Sequence, residues 1–111
     1  MKYNQWHNAD KKGYVMKEKV LQWAKEKGIL YKATPEAQML KTVEEVGELA
    51  NALGKRDLEE IKDAIGDITI TLIIQAQLCG LDFDECVESA YSVIANRTGK
   101  IVNGIFVKDA E

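Results

Sequence analysis

An all-α, four-helix-bundle-like fold is what this sequence predicts, on three observations. Apolar residues recur at helical spacing over four stretches, and three of those stretches begin at residues suited to cap a helix. The 111 residues also include only one proline and eight glycines, too few for the turns of a β-sandwich. The expected organisation is one domain over 1–111. It has a loosely packed N-terminal segment (1–14), a helical core (15–99) with an antiparallel central helix hairpin, and a short C-terminal β-hairpin tail (100–108).

The first helix is expected from Val15 to Lys27, with Met16, Val20, Trp23 and Ala24 on one face and Gly28 as its stop. Thr34 then caps a second helix, and Pro35 suits its first position, where a missing N–H costs nothing. Met39, Val43, Val46, Ala50 and Leu53 form the expected apolar stripe, and Gly54 the expected end. Asp57 with Glu60 reads as a capping box opening the third helix, whose stripe is Ile61, Ile65, Ile68, Leu72, Ala76 and Cys79.

The segment Ile68–Ile74 is β-branched and has strand propensity, yet no turn signal separates it from the capped segment before it, so helix is predicted. Ile70, Ile73 and Ile74 make this helix apolar on more than one face. It is therefore expected to be central, or to pack on another subunit as well. Gly80 ends it. Asp82 and Glu85 open a fourth helix with Phe83, Val87, Ala90, Tyr91 and Ile94 on its apolar side. Asn103-Gly104 suits a tight hairpin turn, and so short a hairpin is expected to lean on the bundle or on a second chain.

Fifteen Lys and Arg stand against 18 Asp and Glu, a net charge of -3. A protein gripping a nucleic-acid polymer would normally show a basic excess, so a nucleic-acid partner is not expected. The longest apolar run, Ile68–Leu81, is interrupted by Thr69, Thr71, Gln75 and Gln77 and is too short to cross a bilayer. With no membrane span or secretory signal read, a cytoplasmic protein is expected. Cys79 and Cys86 fit neither a disulfide framework nor a zinc pattern, and read as apolar filler.

The chemistry is expected in Glu44, Glu45, Glu48, Asp63 and Asp67. The link between the second and third helices is very short, so the two should fold back antiparallel. Counted from the turn at about 1.5 Å per residue, Glu48 and Asp63 lie at one height, and Glu45 and Asp67 at the next. Converging carboxylates repel unless protonated or bound to cations, and an all-oxygen set favours Mg²⁺ or Mn²⁺. The plainer reading is two solvated acidic helix faces. A di-iron bundle is excluded, because it needs Glu-x-x-His motifs and the single histidine is His7, read as a surface residue.

The strings KTVEEVGELANALG (41–54) and EEIKDAIGDITITL (59–72) resemble the MazG-type all-α nucleoside triphosphate pyrophosphohydrolases, particularly small, phage-like stand-alone members. The family motif is Glu-x-x-Glu, a spacer, then Glu-x-x-Asp. Its first half matches Glu45-Val46-Gly47-Glu48, preceded by Glu44, and its last residue matches Asp67. Ala64 stands where the family has its third glutamate, and Asp63 is the neighbouring acid that could replace it. The resemblance spans roughly residues 20–108, including QWAKEKG (22–28) and NRTGKIVNGIFVK (96–108).

It implies Mg²⁺-dependent cleavage of a nucleoside triphosphate (NTP or dNTP) to monophosphate and pyrophosphate. Glu44, Glu45, Glu48, Asp63 and Asp67 would hold metal, and Glu45 and Glu48 would be catalytic. Gln38, Lys41, Asn96, Arg97, Lys100 and Trp23 would contact substrate, and the chain would form homodimers or homotetramers. Two alternatives remain open at this stage. One is a non-catalytic helical dimer binding a nucleotide or a protein, and the other a pyrophosphatase specific for dUTP or dCTP.

Overall fold

The computed structural model describes residues 16–110. The readings of segment 1–14, of His7, and of a helix start at Val15 lie outside the described residues. The chain is all-α with a two-stranded tail: α1 (16–26), α2 (Ile29–Lys32), α3 (Pro35–Lys55), α4 (Leu58–Leu78), α5 (Phe83–Ile94), β1 (Gly99–Val102) and β2 (Ile105–Lys108).

The predicted punctuation is present in the local geometry. Gly28 follows α1 in the left-handed region at φ 79°, and one turn of helix, α2, comes directly after it. That turn is too short to show a periodicity, so the sequence reading missed it. The Thr34 side chain accepts from the Ala37 N–H at 3.1 Å, with Pro35 at the first helical position. Asp57 accepts from the Glu60 N–H at 3.1 Å, and Asp82 from the Glu85 N–H at 3.0 Å. The stop at Gly54 is corrected: α3 continues to Lys55, and Arg56 takes the left-handed conformation at φ 55°. Its N–H caps the carbonyls of Ala52 and Leu53, so backbone bonding rather than the glycine sets the end.

The link Arg56–Asp57 folds α3 and α4 into the antiparallel hairpin expected of them. Their seam is polar. Gln38 Nε2 donates to the Thr71 carbonyl at 3.1 Å, and the Thr42 hydroxyl to that of Thr71 at 3.0 Å. The Thr71 hydroxyl in turn donates to the Ile68 carbonyl at 2.7 Å, and Gln75 Nε2 donates to the Pro35 carbonyl at 3.2 Å. Nearer the turn the buried residues are the small Ala52 and Ala64.

This arrangement corrects the expected apolar stripes. The buried face of α3 is Gln38, Thr42, Glu45 and Ala52, while Met39, Val43, Val46 and Leu53 are exposed. On α4, Ile65, Leu72 and Cys79 of the expected stripe are likewise exposed. Ala76 of that stripe is buried as expected, and Ala64, Thr71, Ile73 and Ile74 are buried with it. Hydrogen-bonding groups, small residues and Glu45 fill the seam, and the larger side chains turn away from it.

The apolar core lies on the other side of α4, which is central as predicted. Val20 and Ala24 of α1 pack on Ile73 and Ile74, with Leu21, Ile29, Leu30, Ile70, Leu78 and Phe83 around them. Burying each large aliphatic side chain there contributes roughly 1.5–3 kcal/mol. Lys17 secures the same end: its ammonium lies 2.7 Å from Asp82 and 2.9 Å from Asp84, clamping α1 to the start of α5.

α5 leaves α4 at a bend of 102°. Its expected apolar side is corrected too, since Val87, Ala90, Tyr91 and Ile94 are exposed and no α5 residue is buried. The cysteine reading falls with it: Cys79 and Cys86 are free and exposed rather than core filler.

The hairpin forms as predicted, with Asn103 and Gly104 at φ 52° and 79° and Ile101 opposite Phe106. All eight strand residues are exposed, so the tail does not rest on the bundle of its own chain. Gly99 is required there, because a Cβ at that position would lie 2.4 Å from the Val107 carbonyl oxygen. No single described helix is long and apolar enough to cross a membrane.

Candidate metal centre and nucleotide cavity

The α3–α4 hairpin sets the position of the acids. Glu45 follows Thr42 by three residues on the seam face of α3, and Asp67 precedes Thr71 by four on α4. The threonine bond therefore holds the two carboxylates one turn further along, at a common level. Glu44, Glu45 and Glu48 each offer an oxygen within 4.8 Å of the others. Glu44 and Glu48 are exposed and Glu45 is buried. Glu48, Asp63 and Asp67 in turn line one small cavity of about 260 Å³, with Asn51, Glu60 and the buried Ala64.

The electrostatics of Glu45 are unfavourable as they stand. Burial raises its pKa above the ordinary carboxylate value, and Glu48 and Asp67 raise it further. Lys41 opposes this only weakly, with its ammonium 3.9 Å from Glu45 and closer, at 3.2 Å, to Glu44. The pKa of Lys41 is raised in return, chiefly by its hydrogen bond to Glu44. Glu45 Oε2 is buried without a hydrogen-bond partner among the described residues. A buried carboxylate oxygen with no donor, among acids offering only oxygen, fits a hard divalent cation.

Next to these acids opens a cavity of about 490 Å³. Val20 and Trp23 of α1, Ile29 of α2, and Ile70 and Ile74 of α4 give it apolar walls. Glu45, Asp67 and Lys41 lie along it, together with Gln38, Thr71 and Lys19. The combination of apolar walls and a carboxylate cluster accepts a ligand with an aromatic ring and an anionic, cation-binding tail. Trp23 is half exposed, with its indole available on the wall.

Of the substrate contacts expected from sequence, Trp23, Gln38 and Lys41 thus share this cavity with Glu45 and Asp67. Asn96 and Arg97 lie apart, lining a separate cleft with Val93, Thr98, Lys108 and Asp109. Lys100 is exposed on β1 opposite Val107. The bend between α4 and α5 carries these three away from the α3–α4 acids. Lys19, Ile29 and Thr71 are cavity residues that sequence reasoning missed, Lys19 being one lysine among many with no local motif around it.

The sequence profile of the MazG nucleotide pyrophosphohydrolase domain matches residues 33–102, which holds α3, α4, α5 and β1. An uncharacterized 18.2 kDa protein from the rep-hol intergenic region of Haemophilus phage HP1 (strain HP1c1) is 36% identical over 61 residues. That alignment covers 55% of this chain and 37% of the phage protein, so the matched part is little more than a third of that relative. No solved structure matches the chain significantly. The profile covers more than half of the chain and both acidic helices, and the chain belongs to the MazG nucleotide pyrophosphohydrolase family.

Proposed function

We propose that the chain hydrolyses nucleoside triphosphates to the monophosphate and pyrophosphate, using divalent cations held by the α3–α4 acids. The observation that carries this reading is the buried Glu45 Oε2, without a hydrogen-bond partner among the described residues, beside an aromatic-walled cavity. Glu44, Glu45, Glu48 and Asp67 would hold Mg²⁺, with Mn²⁺ as a substitute. Asp63 would supply the acid missing at Ala64. Once bound, the cation neutralises phosphate oxygens and makes water a stronger nucleophile at neutral pH.

The chain's own residues supply positioning and proton handling. The walls formed by Trp23, Ile29 and Ile70 seat the base and sugar, which places the phosphates at the Glu45–Asp67 end. Lys41 offsets charge along the phosphates, and Glu45 or Glu48 accepts the proton of the attacking water. The P–O bond between the α-phosphorus and the bridging oxygen breaks, and pyrophosphate leaves.

The exposed apolar residues of α3, α5 and the hairpin support a homodimer or homotetramer as the working unit. A second copy would be the source of Asn96, Arg97 and Lys100 at the site. The expected cellular location is the cytoplasm.

The test is pyrophosphate and monophosphate release from a panel of NTPs and dNTPs with Mg²⁺, with Mn²⁺ and with chelator. Metal-dependent release of both products in equal amounts is expected. Binding without release would overturn the hydrolase reading and leave a nucleotide-binding module, for which the buried apolar Ala64 at a ligand position would be the reason.

A further inference from the structure

Lys19 has an exposed side chain on α1, lines the 490 Å³ cavity, and has no ion pair or hydrogen bond among the described residues. The neighbouring cations differ. Lys17 is bound to Asp82 and Asp84, and Lys41 to Glu44 with Glu45 close by. Of these three ammonium groups, only that of Lys19 is uncommitted, and it faces the same space as Trp23 four residues on.

Its place along the cavity follows from the packing of α1. Lys17 reaches Asp82 and Asp84, beyond the C-terminal end of α4, while Val20 and Ala24 pack on Ile73 and Ile74. Position 19 therefore lies between those levels, on the half of the cavity remote from Asp67 and Glu45. With the phosphates at the acids, the base occupies the half beside Lys19.

The other polar groups at that end are partly engaged. Gln38 gives its amide N–H to the Thr71 carbonyl, and the Thr71 hydroxyl is shared between Thr42 and the Ile68 carbonyl. An ammonium group has three donors and no acceptor. It rewards a carbonyl oxygen on the base edge and meets an exocyclic amino group as donor against donor.

We propose that Lys19 is a specificity-determining residue that selects keto bases over amino bases, the substrate class being 4-keto pyrimidine and 6-keto purine nucleoside triphosphates. This rests on the nucleotide reading of the site given above. A charge-assisted hydrogen bond to a base carbonyl corresponds to a preference of about tenfold or more.

The test compares UTP with CTP and ITP with ATP, pairs that exchange a carbonyl and its neighbouring ring N–H for an amino group and a bare ring nitrogen. Binding is measured by calorimetry with Ca²⁺, and pyrophosphate release in parallel with Mg²⁺, for the native chain, Lys19→Ala and Lys19→Glu. The native chain is expected to favour UTP and ITP about tenfold in affinity, Lys19→Ala to lose that preference, and Lys19→Glu to reverse it. Equal affinities in the native chain, or a preference that survives Lys19→Glu, would overturn the assignment. Preferential binding without pyrophosphate release would support Lys19 as the base reader while overturning hydrolysis alone. Absence of binding to all four nucleotides would overturn both.

Discussion

Two clusters of charge lie along α4, one just beyond its C-terminal end and one at its middle, and they are built on opposite terms. At the C-terminal end, the Lys17 ammonium sits between Asp82 and Asp84, and Asp82 also accepts the Glu85 N–H that opens α5. Every charge there faces its complement. At the middle of α4, Glu45 is buried next to Glu48 and Asp67, with one carboxylate oxygen lacking a partner among the described residues and Lys41 drawn off to Glu44. The first cluster fastens α1 to the start of α5. The second is short of positive charge by its own composition, which a cation would restore. A complete set of partners marks structure, and an incomplete set in a concave place marks a site.

The largest effect expected from breaking this contrast is on turnover. Glu45→Gln keeps the shape of the side chain and removes its charge, so pyrophosphate release should fall at least about 100-fold. The melting temperature of the metal-free protein should hold or rise, because a repulsive buried charge has gone. Asp67→Asn should behave alike. Loss of activity together with loss of helical circular dichroism would instead make these acids structural.

Metal addition should separate the clusters next. Mg²⁺ at 100 times its dissociation constant should stabilise the native chain by about 2.7 kcal/mol. Scanning calorimetry should show no such gain in Glu45→Gln. A smaller effect is expected at the matched cluster: Lys17→Met should lower the melting temperature while leaving the response to Mg²⁺ intact.

The smallest and most discriminating effect is on pH dependence. Glu45 holds its proton more tightly in the folded chain, chiefly through burial, so its contribution favours folding in acid. That contribution fades as pH rises from the ordinary value of 4.5 through the raised one. Asp82 is the reverse, held low first by Lys17 and then by the Glu85 N–H. Its contribution is present above the ordinary 3.8 and is lost as pH falls through the depressed value. The metal-free melting temperature should therefore pass through a mildly acidic maximum. Glu45→Gln should flatten the neutral side of that profile, and Lys17→Met the acid side.

Much of this was legible in the sequence, for local reasons. Thr34, Asp57 and Asp82 announce helix starts because capping involves only the next three residues, and Asn103-Gly104 announces its turn in the same way. The matched heights of Glu45 and Asp67 follow from helix rise and a short link. The rotation of α3 was not legible. Hydrophobic periodicity placed Met39, Val43 and Val46 inward, but the seam is made by Gln38, Thr42 and Glu45. Hydrophobicity marks a face that avoids water without saying what covers it. Lys19 was equally hidden, since its meaning comes from α2, α3 and α4 meeting around it.

The hydrogen-bonded seam between α3 and α4 has one further consequence. A greasy contact between two helices tolerates sliding, because one methyl group is nearly as good a neighbour as the next. The pairings of Gln38 and Thr42 with Thr71, and of Gln75 with Pro35, admit one alignment only. They work as an index mark between two rulers, and Glu45 and Asp67 are graduations one turn along from it. Filling the same space with valine at both threonines would leave two sound rulers with no common zero.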